Sequence, residues 1–224
     1  MINTNATTIA SVGEIEFWFE FGSTYSYLSV MRIEEAAAAH NVKVIWKPFL
    51  LGPIFKSLGW DTSPFLLQKA KGDYMWKDME RQCRKADVPW TRPTEFPRSS
   101  VCAMRIAVAF PNQAWIGEFC KRVMLLNFAS DRDINQPEFI YDILEQLQLP
   151  VQNIVAESLS ATNKPRLREQ TEKAMARGIF GAPTFFVKDE MFWGNDRLDE
   201  ALAFAAQDGT TGHASTSNMN NDKV

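Results

Sequence analysis

The apolar positions of this chain change period twice within its first fifty residues. Residues 15 to 21, "IEFWFEF", are nearly continuous in apolar and aromatic side chains. The run is too short for a buried helix and too unbroken for a strand with one wet face, which predicts a strand buried on both sides. From Tyr25 to His40 the spacing lengthens, and Tyr27, Leu28, Met31, Ile33 and Ala37 form a helical stripe that ends at Asn41. "VKVIW" at 42 to 46 returns to a strand pattern. Strand, helix and strand in so short a stretch make a βαβ unit, whose two strands run parallel.

A segmented helical tract follows. Ser63 and Pro64 offer an N-cap and a first-turn proline, and Met75, Met79, Cys83 and Ala86 continue as a stripe. Val101, Met104 and Val108 make another stripe, and Phe119, Val123 and Leu126 a third. Asn135 and Pro137 open a fourth helix carrying Ile140, Ile143, Leu144 and Leu147, which stops before Pro150. Such stripes are core positions far more often than cofactor contacts. After Pro165, "RLREQTEKAMARG" reads as a polar helix closed by a left-handed cap at Gly178. "PTFFVKDEMFWG" reads as a hairpin around Asp189 and Glu190, and "NDRLDEALAFAAQ" as a last amphipathic helix.

The order, βαβ, then helices, then αββα, is that of an α/β thioredoxin-like fold opened in its middle by a large all-helical insertion. The expected division is a flexible leader over 1–13, a thioredoxin-like domain from 14–50 and 165–207, an inserted helical domain over 51–164, and a disordered polar tail over 208–224.

Composition narrows the function. With 224 residues, 46% hydrophobic and 23% charged, the chain can bury a full core without staples. A net charge of -3 speaks against a nucleic-acid partner. The apolar runs are far below the roughly 20 residues of a membrane span. "MINTNATTIASVG" lacks the basic start and apolar middle of a secretory signal, so a cytoplasmic location without membrane contact is expected. Cys83, Cys102 and Cys120 are scattered, with no C-x-x-C pair, which fits reduced core thiols rather than disulfides or a metal site. His40, near a helix end, and His213, in the tail, are too distant for a metal centre.

Chemistry concentrates at "FGSTYSYL", residues 21 to 28, where the first strand delivers a small-residue turn to a helix N-terminus. In a redox thioredoxin fold that slot carries C-x-x-C; here it reads Ser23-Thr24-Tyr25-Ser26, which cannot form a disulfide. A hydroxyl there can instead donate to a bound thiolate, helped by free backbone amides and the helix dipole. The dipole contributes about 0.3 to 1 kcal/mol, up to about 2 when partly buried, and a charge-assisted hydrogen bond about 1.5 to 3 kcal/mol. At about 1.36 kcal/mol per pKa unit, these together bring a ligand thiol from about 8.5 towards neutrality. Taken alone, Ser23 serves equally well as a plain N-cap. "FGAPTF" places Gly181, Ala182 and Pro183 before a strand, where a cis proline would leave the preceding backbone free to pair with a peptide-like ligand; a trans proline opening the strand is the competing reading.

"FWFEFGSTYSYL", "KPFLLGPIFKSLGW", "KGDYMWKDMER", "FGAPTFFV" and "MFWGNDRL" together resemble the 2-hydroxychromene-2-carboxylate isomerase family, kin of the kappa-class glutathione transferases in the DsbA-like thioredoxin group. The resemblance runs from about residue 14 to 207. It implies glutathione as cofactor, bound between the two parts of the chain, with Ser23 holding its sulfur as thiolate. It further implies backbone pairing at Ala182, before Pro183, with the cysteinyl part, Asn195 and Asp196 on the γ-glutamyl end, and Lys71 on the glycine carboxylate. Asp196 also fits a helix cap, and Lys71 a solvated surface charge. The sequence departs from the family at Thr24, where many relatives carry proline, at Glu20, where aspartate is common, and at Trp60, where the transferases place a glutathione-contacting asparagine. Trp60 therefore reads as an aromatic wall of the site as much as a direct cofactor contact.

The activity implied is interconversion of 2-hydroxychromene-2-carboxylate and trans-o-hydroxybenzylidenepyruvate by reversible thiolate addition, as part of aromatic-compound degradation. A transferase conjugating small electrophiles needs the same activated sulfur, and a non-catalytic glutathione-binding or chaperone-like module is the alternative of another class. Trp60, Phe65, Tyr74, Trp76 and Trp90 are candidate walls for an aromatic acid, with Arg81, Arg84 or Lys56 for its carboxylate. A homodimer is implied by resemblance alone.

Overall fold

The computed structural model describes residues 12–211. Four strands form one sheet in the order β2-β1-β3-β4. β1 (Gly13–Phe19) and β2 (Val42–Pro48) run parallel, joined by α1 (Thr24–Ala39). β3 (Thr184–Val187) is antiparallel to β1 and to its hairpin partner β4 (Glu190–Trp193). Between β2 and β3 come α2 (Leu51–Ser57), α3 (Pro64–Leu67), α4 (Lys69–Lys85), α5 (Val101–Ala109), α6 (Ile116–Phe128), α7 (Pro137–Gln146), α8 (Val151–Ser158) and α9 (Arg166–Ala176). A 3-10 turn at Asn195–Arg197 leads into α10 (Leu198–Thr211).

The strand β1 shows why "IEFWF" is unbroken. Phe17 and Phe19 face the main core, where Phe17 stacks on Phe185 with centroids 5.3 Å apart. Trp18 turns to the opposite face and packs with Phe49, Ile54, Ala174, Ile179 and Phe186 under α2 and α9. Both faces are dry, so alternation of apolar and polar residues has nothing to separate. Glu16, the polar exception on the smaller face, is held by Arg177 and Lys47.

Several local readings shift. β1 begins at Gly13 and ends at Phe19; Phe21 lies past the strand, edge-on to Phe19 and Phe119. The hairpin turns on Lys188 and Asp189 rather than Asp189 and Glu190, because the Val187–Glu190 pairing leaves those two residues outside the ladder and Lys188 takes a positive φ of 55°. The segment opened by Ser63 and Pro64 is two helices, broken at Gln68, whose backbone is extended (φ -115°, ψ 91°). Ala86 falls at the end of α4 and is exposed rather than part of its buried stripe. Helices α2 and α8 were not marked by the stripes, and Pro150 both follows α7 and stands at the N-cap of α8. The last helix continues past 207 to Thr211, through Gly209, since a propagating hydrogen-bond ladder overrides weak local propensity. The rest of the expected tail, with His213, and most of the expected leader lie outside the described residues.

His40 is the C-cap of α1, its Nδ1 2.8 Å from the Ala36 carbonyl. The three cysteines are unpaired, and burial raises all three thiols, Cys83 to about 11, which keeps them protonated and inert. Among the described residues no helix is long and apolar enough to cross a membrane, and no group of His, Cys, Asp and Glu side chains is arranged to hold a metal.

The corner between α3 and α4 depends on Gly72. A Cβ there would sit 2.1 Å from the Phe65 carbonyl oxygen, whereas one on Gly52 in α2 would meet nothing within 4 Å. Gly72→Ala should therefore destabilise the protein by about 1 to 3 kcal/mol, as forced overpacking does, while Gly52→Ala should be stabilising by up to about 1 kcal/mol. Chemical denaturation of the two variants beside the wild type checks the opposite signs.

Candidate active site

The site is built where α1 begins. Phe19 ends β1 and the chain turns through Phe21 and Gly22, so that Ser23 becomes the N-cap of α1 with extended backbone (φ -88°, ψ 120°). Its Oγ accepts from the Ser26 amide at 3.2 Å and donates to the Ala182 carbonyl at 3.1 Å. The hydroxyl therefore does two jobs, capping the helix and facing the Ala182–Pro183 bond, which is cis. The amides of Thr24 and Tyr25, at the first two helical positions, have no acceptor within the helix, and both residues line the same opening.

A buried network clamps this turn. Asn127 Nδ2 donates to the Phe21 carbonyl at 3.0 Å, and Arg98 Nη1 donates to Asn127 Oδ1 at 3.1 Å. Arg98 is neutralised by Asp131, whose carboxyl is held below the usual range by the Thr94 amide and then by Arg98. A Cβ on Gly22 would come 3.1 Å from the Arg98 carbonyl oxygen, so the turn and this loop are already in close contact.

Two adjoining depressions, each about 610 Å³, meet at Tyr25, Tyr74, Ala182 and Trp193. The first holds Asn195 and Asp196 with Pro183 and Asp78. Asn195 Oδ1 accepts from Ser29 Oγ at 3.0 Å, which anchors the side-chain amide through its oxygen. Asp196 is largely exposed, lies in the 3-10 turn rather than capping α10, and pairs with Arg197 at 3.2 Å. Tyr25 donates to Asp78 Oδ2 at 2.9 Å, and burial and that carboxylate together raise its hydroxyl pKa, so it stays a fixed donor.

The second depression holds Ser23, Thr24, Lys71, Trp60 and Phe65. Lys71 lies 5.7 Å from the Phe65 ring centroid, with its ammonium in no ion pair among the described residues. Trp60 leans on Phe55, centroids 5.9 Å apart, and forms an aromatic wall. Of the other expected walls, Phe65 and Tyr74 line the space, but Trp76 and Trp90 do not: they pack on Phe96 and Phe128 instead. Arg81, Arg84 and Lys56 also fall outside both depressions, Arg81 being occupied by Asp78 and the Tyr74 ring. The cations that line the space are Lys71, Arg98 and Arg197.

Sequence reasoning gave Glu20 no role, although it is one of two charges inside the apolar run "IEFWFEF" and, unlike Glu16, forms no ion pair among the described residues. It lines the second depression with Ser23, and its Oε2 accepts from the Leu51 amide at 3.2 Å. Burial pushes its carboxyl up to about 7, opposed only by that amide. A raised folded pKa means that Glu20 binds more protons in the native than in the unfolded chain between about 4.5 and 7. Its contribution to stability is complete at low pH and is lost as pH rises through about 7. Glu20→Gln, which stays neutral, should therefore raise the denaturation midpoint at pH 8 and leave it nearly unchanged at pH 4; equal midpoint changes at both would contradict this.

Over residues 14–204 the chain matches the DSBA-like thioredoxin domain. It is 30% identical over 190 residues to the 2-hydroxychromene-2-carboxylate isomerase of Sphingobium xenophagum, covering 83% of this chain and 94% of that one. It is 25% identical over 207 residues to glutathione S-transferase kappa 2 of Caenorhabditis elegans, covering 86% and 92%. A solved 2-hydroxychromene-2-carboxylate isomerase superposes with a TM-score of 0.77 at 23% identity, over 87% of this chain and 95% of the other. Matching this domain across its sheet and inserted helices, and one such isomerase across nearly its whole length, the chain belongs to the DsbA-like thioredoxin family and, within it, to the 2-hydroxychromene-2-carboxylate isomerase family.

Proposed function

We propose that this protein is a glutathione-dependent isomerase of the 2-hydroxychromene-2-carboxylate type. The observation that carries this reading is Ser23: a hydroxyl, not a thiol, at the N-terminus of α1, facing the Ala182 carbonyl where two depressions join. The family membership and the similarity to isomerases of that name support the choice of reaction.

The residues suit the tripeptide. Asp196 and the Asn195 amide stand on one side of Ala182 and match the ammonium and carboxylate of a γ-glutamyl end. Lys71 stands on the other side and matches a glycine carboxylate. Between them Ala182 offers its backbone to the cysteinyl part, next to Ser23. Glutathione supplies a nucleophilic sulfur that adds to a conjugated carbon and leaves again, so that the former double bond can rotate. To serve that sulfur, the Ser23 proton turns from the Ala182 carbonyl to the anion, while Oγ keeps the Ser26 amide. The exchange replaces a neutral acceptor by a charged one, which is the stronger hydrogen bond. Trp60, Phe65 and Phe96 give the aromatic substrate an apolar wall, which excludes water from the reacting carbon.

Ser23→Ala should lower glutathione-dependent isomerisation by about 10- to 100-fold, the equivalent of about 1.5 to 3 kcal/mol for one charge-assisted bond. Loss of the cap should separately cost about 0.5 to 2 kcal/mol of folding stability. Steady-state kinetics on 2-hydroxychromene-2-carboxylate with folded variant and wild type are the check, and undiminished turnover in the variant would remove Ser23 from the reaction. Following glutathione in the same assay separates the isomerase from a transferase like the kappa relative, because only the latter consumes it.

A further inference from the structure

The cleft contains a second proton-active group that the proposed reaction leaves unused. Glu20 follows Phe19 at the end of β1, and its side chain points to the α2 side of the sheet. Its Oε2 is tied to the Leu51 amide at the start of α2, while Oε1 has no hydrogen-bond partner among the described residues. It shares a depression with Ser23, and the two residues are joined through the turn by the Ser23 amide donating to the Glu20 carbonyl at 3.1 Å.

No charge is placed to hold Glu20 ionised. Around the depression, Arg98 is committed to Asp131, and Lys71 lies over the Phe65 ring. Tyr25 donates to Asp78, and Tyr74 faces Arg81. Lys47 on β2 and Arg177 at the end of α9 are bound to Glu16. Lys56, on α2, lines neither depression, and none of these groups bonds Glu20. A carboxylate in this place stays basic, and burial accounts for its pKa near 7.

An arriving thiol must lose a proton before Ser23 can hold it as thiolate, and two bare anions in one desolvated cleft repel each other. We propose that Glu20 is the acceptor of the glutathione thiol proton and stores it while the thiolate is held at Ser23. The S–H bond breaks with its electron pair left on sulfur, and the proton is bound by Oε1 of Glu20. Cofactor and carboxyl then carry one negative charge between them rather than two, with no net change in protons. In an isomerisation that regenerates the thiolate, the proton stays on Glu20 through successive turnovers. This inference rests on the glutathione reading above.

The test is isothermal titration of glutathione into wild type and Glu20→Gln at pH 7.5, repeated in buffers of different ionisation enthalpy, with ultraviolet absorbance reporting thiolate. For a free thiol near 8.5 and a Glu20 carboxyl near 7, the wild type should release about 0.2 proton and Glu20→Gln about 0.9. Thiolate absorbance should appear in both. Equal release by the two proteins with thiolate present overturns the Glu20 assignment and leaves Ser23 standing, whereas no thiolate in either protein overturns both. Gln keeps an acceptor for the Leu51 amide, which favours a folded variant. An infrared difference spectrum of the wild type at pH 8 tests the same point without substitution: adding glutathione should produce a protonated carboxyl band, and its absence refutes the proposal.

Discussion

The turn that carries Ser23 is held from behind by a buried charge. Arg98 cannot lie in a dry interior without compensation, and Asp131, Asn127 and the Asn127 and Arg132 carbonyls surround its guanidinium. Asn127 passes this anchoring on to the Phe21 carbonyl, two residues before the N-cap. Removing one partner would leave a polar group stranded, so the network fixes the sheet's exit turn against α6 and the loop before α5. Helix α1 can then begin at one defined point, with Ser23 at its N-cap and Thr24 and Tyr25 lining the cleft.

From that point the chemistry follows from what the slot does not contain. A thiol at the start of α1 would make the fold a disulfide reagent, but Ser23 can only cap, accept and donate. Its present partners, the Ser26 amide and the Ala182 carbonyl, define the position in which an anionic sulfur would be held. The raised Glu20 carboxyl adds a proton acceptor to the same space, and the protonated cysteines, buried elsewhere, offer no competing redox chemistry. Fold and side-chain chemistry are thus separable: the sheet delivers a helix N-terminus to the cleft, and the side chain at its cap is a hydroxyl rather than a thiol.

The division of labour around Ala182 has a similar logic. Polar groups able to grip a zwitterion, Asn195 and Asp196, lie on the 3-10 turn after β4, whereas two aromatic groups come from the segment after β2, Trp60 in the loop between α2 and α3 and Phe65 in α3. The polar groups of the cleft therefore lie on the sheet side and its aromatic groups on the helical side, the arrangement on which the proposed function draws. Trp76 and Trp90 do not share this role, since their rings pack on Phe96 and Phe128.

Much of this was determined by sequence. The unbroken "IEFWF" run, the change to helical spacing after Ser23 and the second strand at "VKVIW" specify a parallel pair around a helix, because periodicity and connection length are local properties. The serine in the thioredoxin slot, likewise, is legible without coordinates. Tertiary structure decided what local pattern could not: the break at Gln68, beside the close approach of Gly72 to the Phe65 carbonyl, the packing of Trp76 and Trp90 against the core, and the isolation of Glu20. Which side chain meets a cavity, and which ionisable group finds itself without a counter-charge, depends on segments far apart in the chain; no window of neighbouring residues contains that information.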